Sequence, residues 1–309
     1  MSLSSAVVPL NDFLKRTYAF NYVVDPILPI GGVGLLHGKG GHGKTQWSFS
    51  LANAVSSGET FLGKFPTHKG RVLFLELDMP ENLFQERWKL AQPHLKNPEN
   101  IFIIPWHPID ILDPDTQDTL KAAIDDIDPV LIFFDTLRKL HREKENENEV
   151  PMQVYDAIKK CIGEDRAAIV IHHDRKSIIM NKGSKKDTDK DDFEAPDEFV
   201  ETFRGARAWI DDCDLGIQMY KYGASNRVKM SYSKVRCKPL PPMFLQLNSE
   251  TLLIENKEPQ NAREWAVQIF ADNPKISTAD WAREVQVKSN CNKSRAYEII
   301  AQVTAELAQ

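Results

Sequence analysis

Five short runs of the chain are almost continuously apolar, and amphipathic stretches with helical periodicity separate them. The apolar runs cover residues 33–38, 71–78, 101–106, 129–135 and 167–173. The amphipathic stretches cover residues 81–92, 115–127 and 151–163. Strands without polar alternation are typical of a parallel sheet that has helices on both faces. The pattern therefore predicts an α/β fold built around a mainly parallel central sheet flanked by helices.

The pattern of apolar positions changes after residue 213. Shorter runs follow, separated by turn-forming residues, and read LGIQMYKY, RVKMSYSKV, MFLQLN and TLLIEN. They predict antiparallel strands that continue one edge of the sheet.

The last part of the chain, from about residue 261, has the pattern of a small helical appendage. Two helices are predicted, ISTADWAREV and NKSRAYEIIAQVTAEL, joined by the turn QVKSNC. Ser277 or Thr278 is expected to cap the first helix, and Asn292 the second, because short polar side chains satisfy the free N–H groups of a first turn. The sequence therefore predicts two domains, residues 1–258 and a helix-turn-helix-like domain of residues 259–309.

Composition narrows the class of protein. Of the 309 residues, 42% are hydrophobic and 27% are charged, which is ordinary for a globular protein. The formal net charge of −5 argues against a generally basic nucleic-acid coat protein but is compatible with a local basic channel. No apolar run is long enough to span a bilayer, and the first residues lack the pattern of a secretory signal. The four cysteines lack zinc-site spacing and are interpreted as structural thiols of a cytoplasmic protein.

A glycine-rich loop follows the first apolar run and matches the phosphate-loop pattern GxxxxGK[ST] in full. Its residues are Gly38, Lys39, Gly40, Gly41, His42, Gly43, Lys44 and Thr45. The loop and the adjoining Gln46 are expected to bind a nucleotide, since glycines let backbone N–H groups converge on phosphates at a helix N-terminus. Lys44 is expected to contact the β- and γ-phosphates, and the Thr45 hydroxyl to bind Mg²⁺.

Acidic residues at the ends of two other predicted strands are candidates for the remaining chemistry. Asp135 ends a buried strand, as a second carboxylate on the magnesium side would. Thr136 follows it instead of a glutamate, so a base must come from elsewhere. Glu76 and Asp78 are predicted to share one face of their strand, and one of them is a candidate to orient the attacking water. The alternative is a pair of solvated strand-end acids.

Two histidines, His172 and His173, end a further strand beside a long polar segment. A neutral imidazole there is a candidate to hydrogen-bond the γ-phosphate or the attacking water. The alternative is a histidine that is merely packed. The segment that follows, residues 174–199, is charged and rich in turn formers. A loop of this length inside a domain is usually functional or disordered.

Six motifs, taken in order, cover approximately residues 25–250. They are GKGGHGKT, FLELDMP, FFDTLRKLHREKENE, IVIHHDRK, ETFRGARAWIDD and YSKVRCKPLPPMFLQL. They resemble the RecA-type P-loop ATPase superfamily, and within it the RepA-like hexameric plasmid replicative helicases. The resemblance implies a RecA-like ATPase domain over residues 1–258, with ATP and Mg²⁺ as cofactors. It further implies single-stranded DNA as a partner and a homo-oligomeric ring of the hexameric kind.

The resemblance also implies roles for particular residues. Asp78 matches the catalytic carboxylate, which is normally Glu in the family, and His173 matches the γ-phosphate sensor. The loop after the sensor corresponds to the segment that contacts single-stranded DNA in the ring channel. Its basic residues, expected to bind backbone phosphates, are Arg175, Lys176, Lys182, Lys185 and Lys186.

A basic finger from the neighbouring subunit completes the site in such ATPases. The position that best matches the helicase finger holds Asp214 in this chain. The candidate replacements are Arg207, Lys234 and Arg236. Without a replacement, the protein is expected to act more as a switch than as a motor.

The helical appendage has basic residues, Lys293 and Arg295, at the start of its second predicted helix, where a recognition helix contacts DNA. Packing or subunit docking is the alternative. Three functions thus stay open: a DNA helicase or translocase, an ATP-switched DNA-binding or regulatory protein, and a small-molecule kinase or GTPase that shares only the phosphate loop. Of the third, the GTPase is disfavoured because NKGS at 181–184 lacks the aspartate that reads guanine, and the kinase because no lid of clustered arginines is evident.

Overall fold

The computed structural model describes residues 7–17, 21–143, 149–174, 206–222, 226–236, 239–256 and 261–307. The main sheet is preceded by a short helix, α1 (Leu10–Phe13), and by a two-stranded antiparallel sheet of β1 (Tyr22–Val24) and β2 (Leu28–Pro29).

Strands and helices alternate through the first half of the chain, as the apolar pattern predicts. The elements are β3 (Val33–Gly38), α2 (Lys44–Ser57), β4 (Arg71–Glu76), α3 (Glu81–Ala91), β5 (Ile101–Pro105), α4 (Pro114–Ile127), β6 (Pro129–Asp135), α5 (Leu137–Leu140), α6 (Val150–Ile162) and β7 (Ala167–His173). Two 3₁₀ turns, Gln92–His94 and Pro98–Asn100, connect α3 to β5.

Strands dominate the next part of the chain, and helices dominate its end. The elements are α7 (Ala206–Asp212), β8 (Leu215–Tyr222), β9 (Arg227–Val235), β10 (Met243–Leu247), β11 (Ile254–Asn256), α8 (Ala262–Asp272), α9 (Thr278–Ser289) and α10 (Lys293–Leu307).

The main sheet has nine strands in the order β11-β10-β9-β8-β3-β7-β6-β4-β5. Strands β8, β3, β7, β6, β4 and β5 run parallel to one another, and β9, β10 and β11 complete an antiparallel edge. The predicted sheet is therefore confirmed, with one correction. Strand β8 pairs in parallel with β3 on one side and in antiparallel with β9 on the other, so it joins the two parts of the sheet.

Both faces of the parallel part are buried, which explains why its strands show no polar alternation. On one face the sheet packs against α2 and α3, where the rings of Phe74 and Phe133 stack with centroids 4.3 Å apart. On the other face it packs against α4, α6 and α7, and Phe134 and Trp209 are fully buried there.

Two predicted strands are shorter by two or more residues in the structure, and local side chains explain both differences. Strand β4 ends at Glu76 because its carboxylate accepts hydrogen bonds from the N–H groups of Asp78 and Met79 and turns the chain. Asp78 therefore lies beyond the strand and not on it as predicted. The run TLLIEN becomes a strand only from Ile254, because Asn248 caps a turn before it and Leu252 has φ 51°.

The helical end of the chain contains a third helix, α8, before the two predicted ones. Ser277 caps α9 and Asn292 caps α10, in agreement with the predicted caps. The predicted turn QVKSNC is too long, since α9 continues to Ser289 and only residues 290–292 separate the two helices. Phe244 of β10 belongs to the hydrophobic cluster of these helices, so they pack against the sheet edge.

Cys161, Cys213 and Cys291 are free thiols, and Cys237 lies outside the described residues. None of the helices in the described ranges has the length and apolar character needed to cross a membrane.

Candidate active site

A cavity of about 360 Å³ opens at the carboxyl ends of β3, β4, β6 and β7. Strand register brings the motif residues together there, because Glu76 pairs with Asp135 and Gly38 pairs with His173 on adjacent strands. The predicted residues that line it are Gly41, Gly43, Lys44, Thr45, Gln46, Glu76, Asp78, Asp135 and His173. Gly38, Lys39, Gly40 and His42 belong to the loop but not to the cavity lining.

The phosphate loop has glycine at three positions with positive φ, and at two of them the space for a side chain is also filled. Gly38 has φ 155°, and a Cβ there would lie 2.5 Å from the carbonyl oxygen of Met219. Gly43 has φ 85°, and a Cβ there would lie 2.5 Å from Cδ2 of Leu247. At Gly41, by contrast, a Cβ would meet nothing within 4 Å. The loop is therefore packed from behind and open on the side where phosphates would approach.

Lys44, the first residue of α2, is only 4% exposed and is held inside the loop. Its Nζ donates to the carbonyl oxygens of Gly38 at 2.6 Å and Lys39 at 3.0 Å, and it lies 3.1 Å from Nδ1 of His173. Burial lowers the pKa of Lys44 to about 8, against the opposing charge of Asp135. The ammonium is thus poised for an anion that would compensate its lost hydration.

The carboxylates of the cavity differ in their burial and in their hydrogen bonds. Burial, followed by the nearby charge of Glu76, raises the pKa of Asp135 to about 7. Burial also raises the pKa of Glu76, whose Oε1 accepts from the N–H groups of Asp78 and Met79 at 3.0 and 2.7 Å. Asp78 is exposed at the cavity rim. Glu76 therefore shapes the turn, and Asp78 is the carboxylate that is free to meet a water.

The two histidines at the end of β7 have separate surroundings. His173 lines the cavity, and burial together with the charge of Lys44 lowers its pKa. An ammonium can only donate, so a neutral His173 accepts from Lys44 through Nδ1 and carries its proton on Nε2. His172 is 7% exposed, and burial lowers its pKa to about 4. His172 is absent from the cavity lining, which matches the packed alternative for that residue.

The residues present fit a nucleotide with Mg²⁺. Buried Oε1 of Gln46 and Oε2 of Glu76 have no hydrogen-bond partner within the described residues, although both side chains line the cavity. The Thr45 hydroxyl and the Asp135 carboxylate are oxygen ligands of the kind that Mg²⁺ prefers. The described ranges contain no group of three or more His, Cys, Asp or Glu side chains that could hold a metal. Mg²⁺ usually shares such a site between few protein oxygens and phosphates, so this donor set is sufficient.

Two basic residues in the cavity lining escaped the sequence analysis. Arg87 reaches the cavity from α3, and its charge acts on both Glu76 and Asp135. Lys221 reaches it from β8, where its Nζ donates to Oδ1 of Asn226 at 3.0 Å. Neither belongs to a motif. Lys221 lies past the end of β3 because β8 pairs with β3 in parallel, a pairing that the apolar pattern does not predict.

The basic finger candidates do not line this cavity. Lys234 and Arg236 lie at the opposite end of the sheet, since Leu215 at the start of β8 pairs with Val235. The Lys234 ammonium donates to the carbonyl oxygen of Asp211, and the Arg236 guanidinium donates to Asp214 at 2.7 Å. The Arg207 side chain is 78% exposed, with Nε 3.9 Å from Asp211.

The nucleic-acid candidates fall into two groups. Those of the predicted DNA-contacting loop lie outside the described residues and are Arg175, Lys176, Lys182, Lys185 and Lys186. Lys293 and Arg295 are exposed in the first turn of α10. Nη1 of Arg295 donates to Glu298 at 2.8 Å, so part of its charge is already compensated.

Comparisons with known proteins agree with this architecture. The family described as the AAA domain matches residues 2–177, more than half of the chain. The solved ATPase domain of G40P has a TM-score of 0.57 and 15% sequence identity, and the match covers 83% of this chain and 99% of that one. A DnaB-like replicative helicase, solved in a study of its interactions with primase, has a TM-score of 0.54 and 14% identity over 74% of this chain and 58% of that one. Identities this low show a shared fold, here the RecA-type fold of helicase ATPase domains. On the family match, the chain belongs to the AAA domain family.

Proposed function

We propose that this protein is a Mg²⁺-dependent ATPase that acts on nucleic acid, as a RepA-like replicative DNA helicase or single-stranded DNA translocase. The observation that carries the proposal is the contact of Lys44 with His173 in a cavity that also contains Asp135 and Asp78. A phosphate-binding cation, a neutral histidine and two carboxylates in one cavity are the groups that phosphoanhydride hydrolysis needs.

The roles of the residues follow from their surroundings. Thr45 and Asp135 would hold Mg²⁺, which, when bound, neutralises charge on the phosphates. Lys44 exchanges its loop carbonyls for phosphate oxygens, and this relieves the cost of its burial. Asp78 accepts a hydrogen bond from the attacking water and orients it.

His173 is proposed to donate a hydrogen bond to the γ-phosphate. Its Nδ1 is occupied by Lys44, so its Nε2–H is the donor that remains for a γ-phosphate oxygen. Loss of that phosphate would change the contacts of His173 at the end of β7. The predicted DNA-contacting loop begins two residues later in the sequence, and the proposed DNA contacts of Arg175 and Lys176 would be altered by the same change.

The protein is proposed to work as a homo-oligomeric ring of the hexameric kind, in which a basic residue of one copy completes the cavity of the next. Arg207, Lys234 and Arg236 are the candidates. Lys293 and Arg295 form a second proposed DNA contact in the helical domain, residues 259–309.

A second function, an ATP-switched DNA-binding protein without unwinding activity, is favoured by one observation. The position that best matches the helicase finger holds Asp214, so a weak or absent finger would leave hydrolysis slow.

The test is the ATP turnover rate with and without single-stranded DNA, together with the molecular mass in solution. Stimulation of an assembled form by DNA supports the motor. Slow turnover that DNA does not change, with DNA affinity that depends on the bound nucleotide, supports the switch. A monomer that DNA does not stimulate contradicts the motor.

A further inference from the structure

Asp214, at the position where the resemblance leads one to expect an arginine, is a buried carboxylate with three donors. It is 7% exposed at the start of β8. Its Oδ2 accepts from the N–H of Val33 at 3.0 Å and from Nζ of Lys159 at 3.0 Å, and its Oδ1 accepts from Nε of Arg236 at 2.7 Å. Burial acts to raise the pKa of Asp214, but these donors together lower it. The carboxylate is therefore a fixed negative charge in the fold.

Arg236 is held by this charge through only one of its nitrogens. Nε donates to Asp214, while the side chain as a whole is 59% exposed. Within the described ranges, the terminal nitrogens Nη1 and Nη2 make no hydrogen bond. A guanidinium is planar and rigid, so anchoring Nε fixes the direction of the two terminal amino groups. Two parallel N–H donors are the geometry that binds a phosphate in bidentate fashion.

The position of Arg236 excludes a role in the cavity of its own chain. Asp214 binds the N–H of Val33, the first residue of β3, whereas the phosphate loop follows Gly38, the last residue of that strand. Five residue steps of a strand span roughly 17 Å. A nucleotide phosphate contacted by Arg236 would therefore be bound in the cavity of another copy of the chain.

The other two basic candidates lack such an arrangement. The Lys234 ammonium donates to a backbone carbonyl of Asp211, and an ammonium is a point charge without a fixed fork. The Arg207 side chain is 78% exposed, and its nearest acid, Asp211, is 3.9 Å away. Neither side chain is oriented by a buried carboxylate.

We propose that Asp214 is a positioning residue, which orients the Arg236 guanidinium toward the phosphate chain of a nucleotide bound by a second copy of this protein. This inference rests on the proposed ATPase function and specifies which residue completes the site and what holds it. Position 214 thus holds the carboxylate in place of the expected arginine, and the cation is Arg236, the residue directly after β9.

The experiment compares Asp214→Asn and Arg236→Ala with the full-length wild type, with kcat and KM measured for each. An asparagine has one acceptor oxygen instead of two, so either Arg236 at Oδ1 or the two donors at Oδ2 lose their acceptor. We expect Arg236→Ala to lower kcat about a thousandfold, the lower range for a trans arginine. Asp214→Asn is expected to lower kcat up to about a hundredfold, the effect of misplacing a catalytic group. KM should change less than about threefold for both.

Coexpression with Lys44→Ala separates positioning from a folding defect. Lys44→Ala copies have an inactive cavity and an intact Asp214–Arg236 pair, whereas Asp214→Asn copies have the reverse. In a random mixture, about one quarter of head-to-tail interfaces join an intact cavity to an intact pair, so turnover should recover to about a quarter of wild type. A misfolded Asp214→Asn chain would give no recovery, and that result overturns the inference.

Lys159→Met is the matched control, since it removes another partner of Asp214 and leaves Arg236 in place. It should turn over ATP at the wild-type rate. A loss equal to that of Asp214→Asn would mean that the buried carboxylate acts through packing alone, and wild-type turnover in Asp214→Asn would also overturn the inference. Failure of the proposed function is recognised separately, because the wild type itself would then hydrolyse no ATP.

Discussion

Replacing Arg227 by methionine should destabilise the protein by about 3–5 kcal/mol, the usual effect of removing one partner from a buried ion pair. Arg227 begins β9, and its Nη2 lies 2.5 Å from Oε2 of Glu264 in α8. Both side chains are nearly inaccessible, at 4% and 3% exposure. Without the guanidinium, the Glu264 carboxylate would be a buried charge that has lost its closest counter-ion.

The double variant Arg227→Met/Glu264→Leu should regain most of that loss, because removing both charges also removes the cost of burying them. Glu264 additionally accepts from Nδ2 of Asn261, the residue that caps α8, so the recovery should be incomplete. Asn261→Ala is the matched control. It removes the cap and one donor to Glu264 but leaves the ion pair intact, and it should cost only about 1 kcal/mol.

Urea denaturation followed by circular dichroism measures these differences. With a slope of about 3 kcal/mol/M, the single variant should unfold at a urea concentration roughly 1 M or more below the wild type. A single variant that costs less than about 1 kcal/mol would behave like an exposed pair and refute the reasoning. A double variant no more stable than the single one would refute it as well. The predicted result would mean that the buried Arg227–Glu264 pair holds α8 against β9.

Three further outcomes are expected at the nucleotide site. Lys44→Ala should abolish ATP turnover because the main γ-phosphate cation is lost, and it should leave the circular dichroism spectrum unchanged. Undiminished hydrolysis would disprove the site. Gly43→Ala should weaken ADP binding about tenfold or more in a fluorescence titration, because φ is 85° and the new Cβ would meet Leu247 at 2.5 Å. Gly63→Ala, at φ 67° with nothing within 4 Å, is its control and should bind ADP normally. Since the pKa of Lys44 is about 8 and its charged form binds phosphate, affinity for metal-free ADP should fall about eightfold from pH 7.5 to 9. Calorimetry in EDTA checks this, and a constant Kd over that range would contradict the assignment of the charged form.

The fold was predictable from the sequence where burial alone determines the elements. The bounds of β3, β6 and β7 agree with the apolar runs because both faces of these strands are covered. The end of β4 differs because one side chain, Glu76, captures two backbone N–H groups, and an apolar pattern does not record such a contact.

The site was predictable where it follows motifs, and not where it depends on strand pairing. The phosphate loop and Asp135 can be read from a short window of sequence. Lys221 approaches the cavity only because β8 lies beside β3, a pairing between residues about 180 positions apart. Arg87 depends on how α3 packs across the sheet. The partnership of Asp214 with Arg236 likewise joins the start of one strand to the end of the next.

The phosphate loop and the Asp214–Arg236 pair are attached to opposite ends of β3, and this determines how many complete sites an assembly of copies would contain. Each copy would carry the cavity of one site at one end of the strand and the arginine of a different site at the other end. Copies joined in this way associate head to tail, through two different surfaces. An open row of n copies would contain n − 1 complete sites, and only the closed ring would contain n. Activity per copy would thus rise stepwise when the ring closes, even though no residue of any copy has changed.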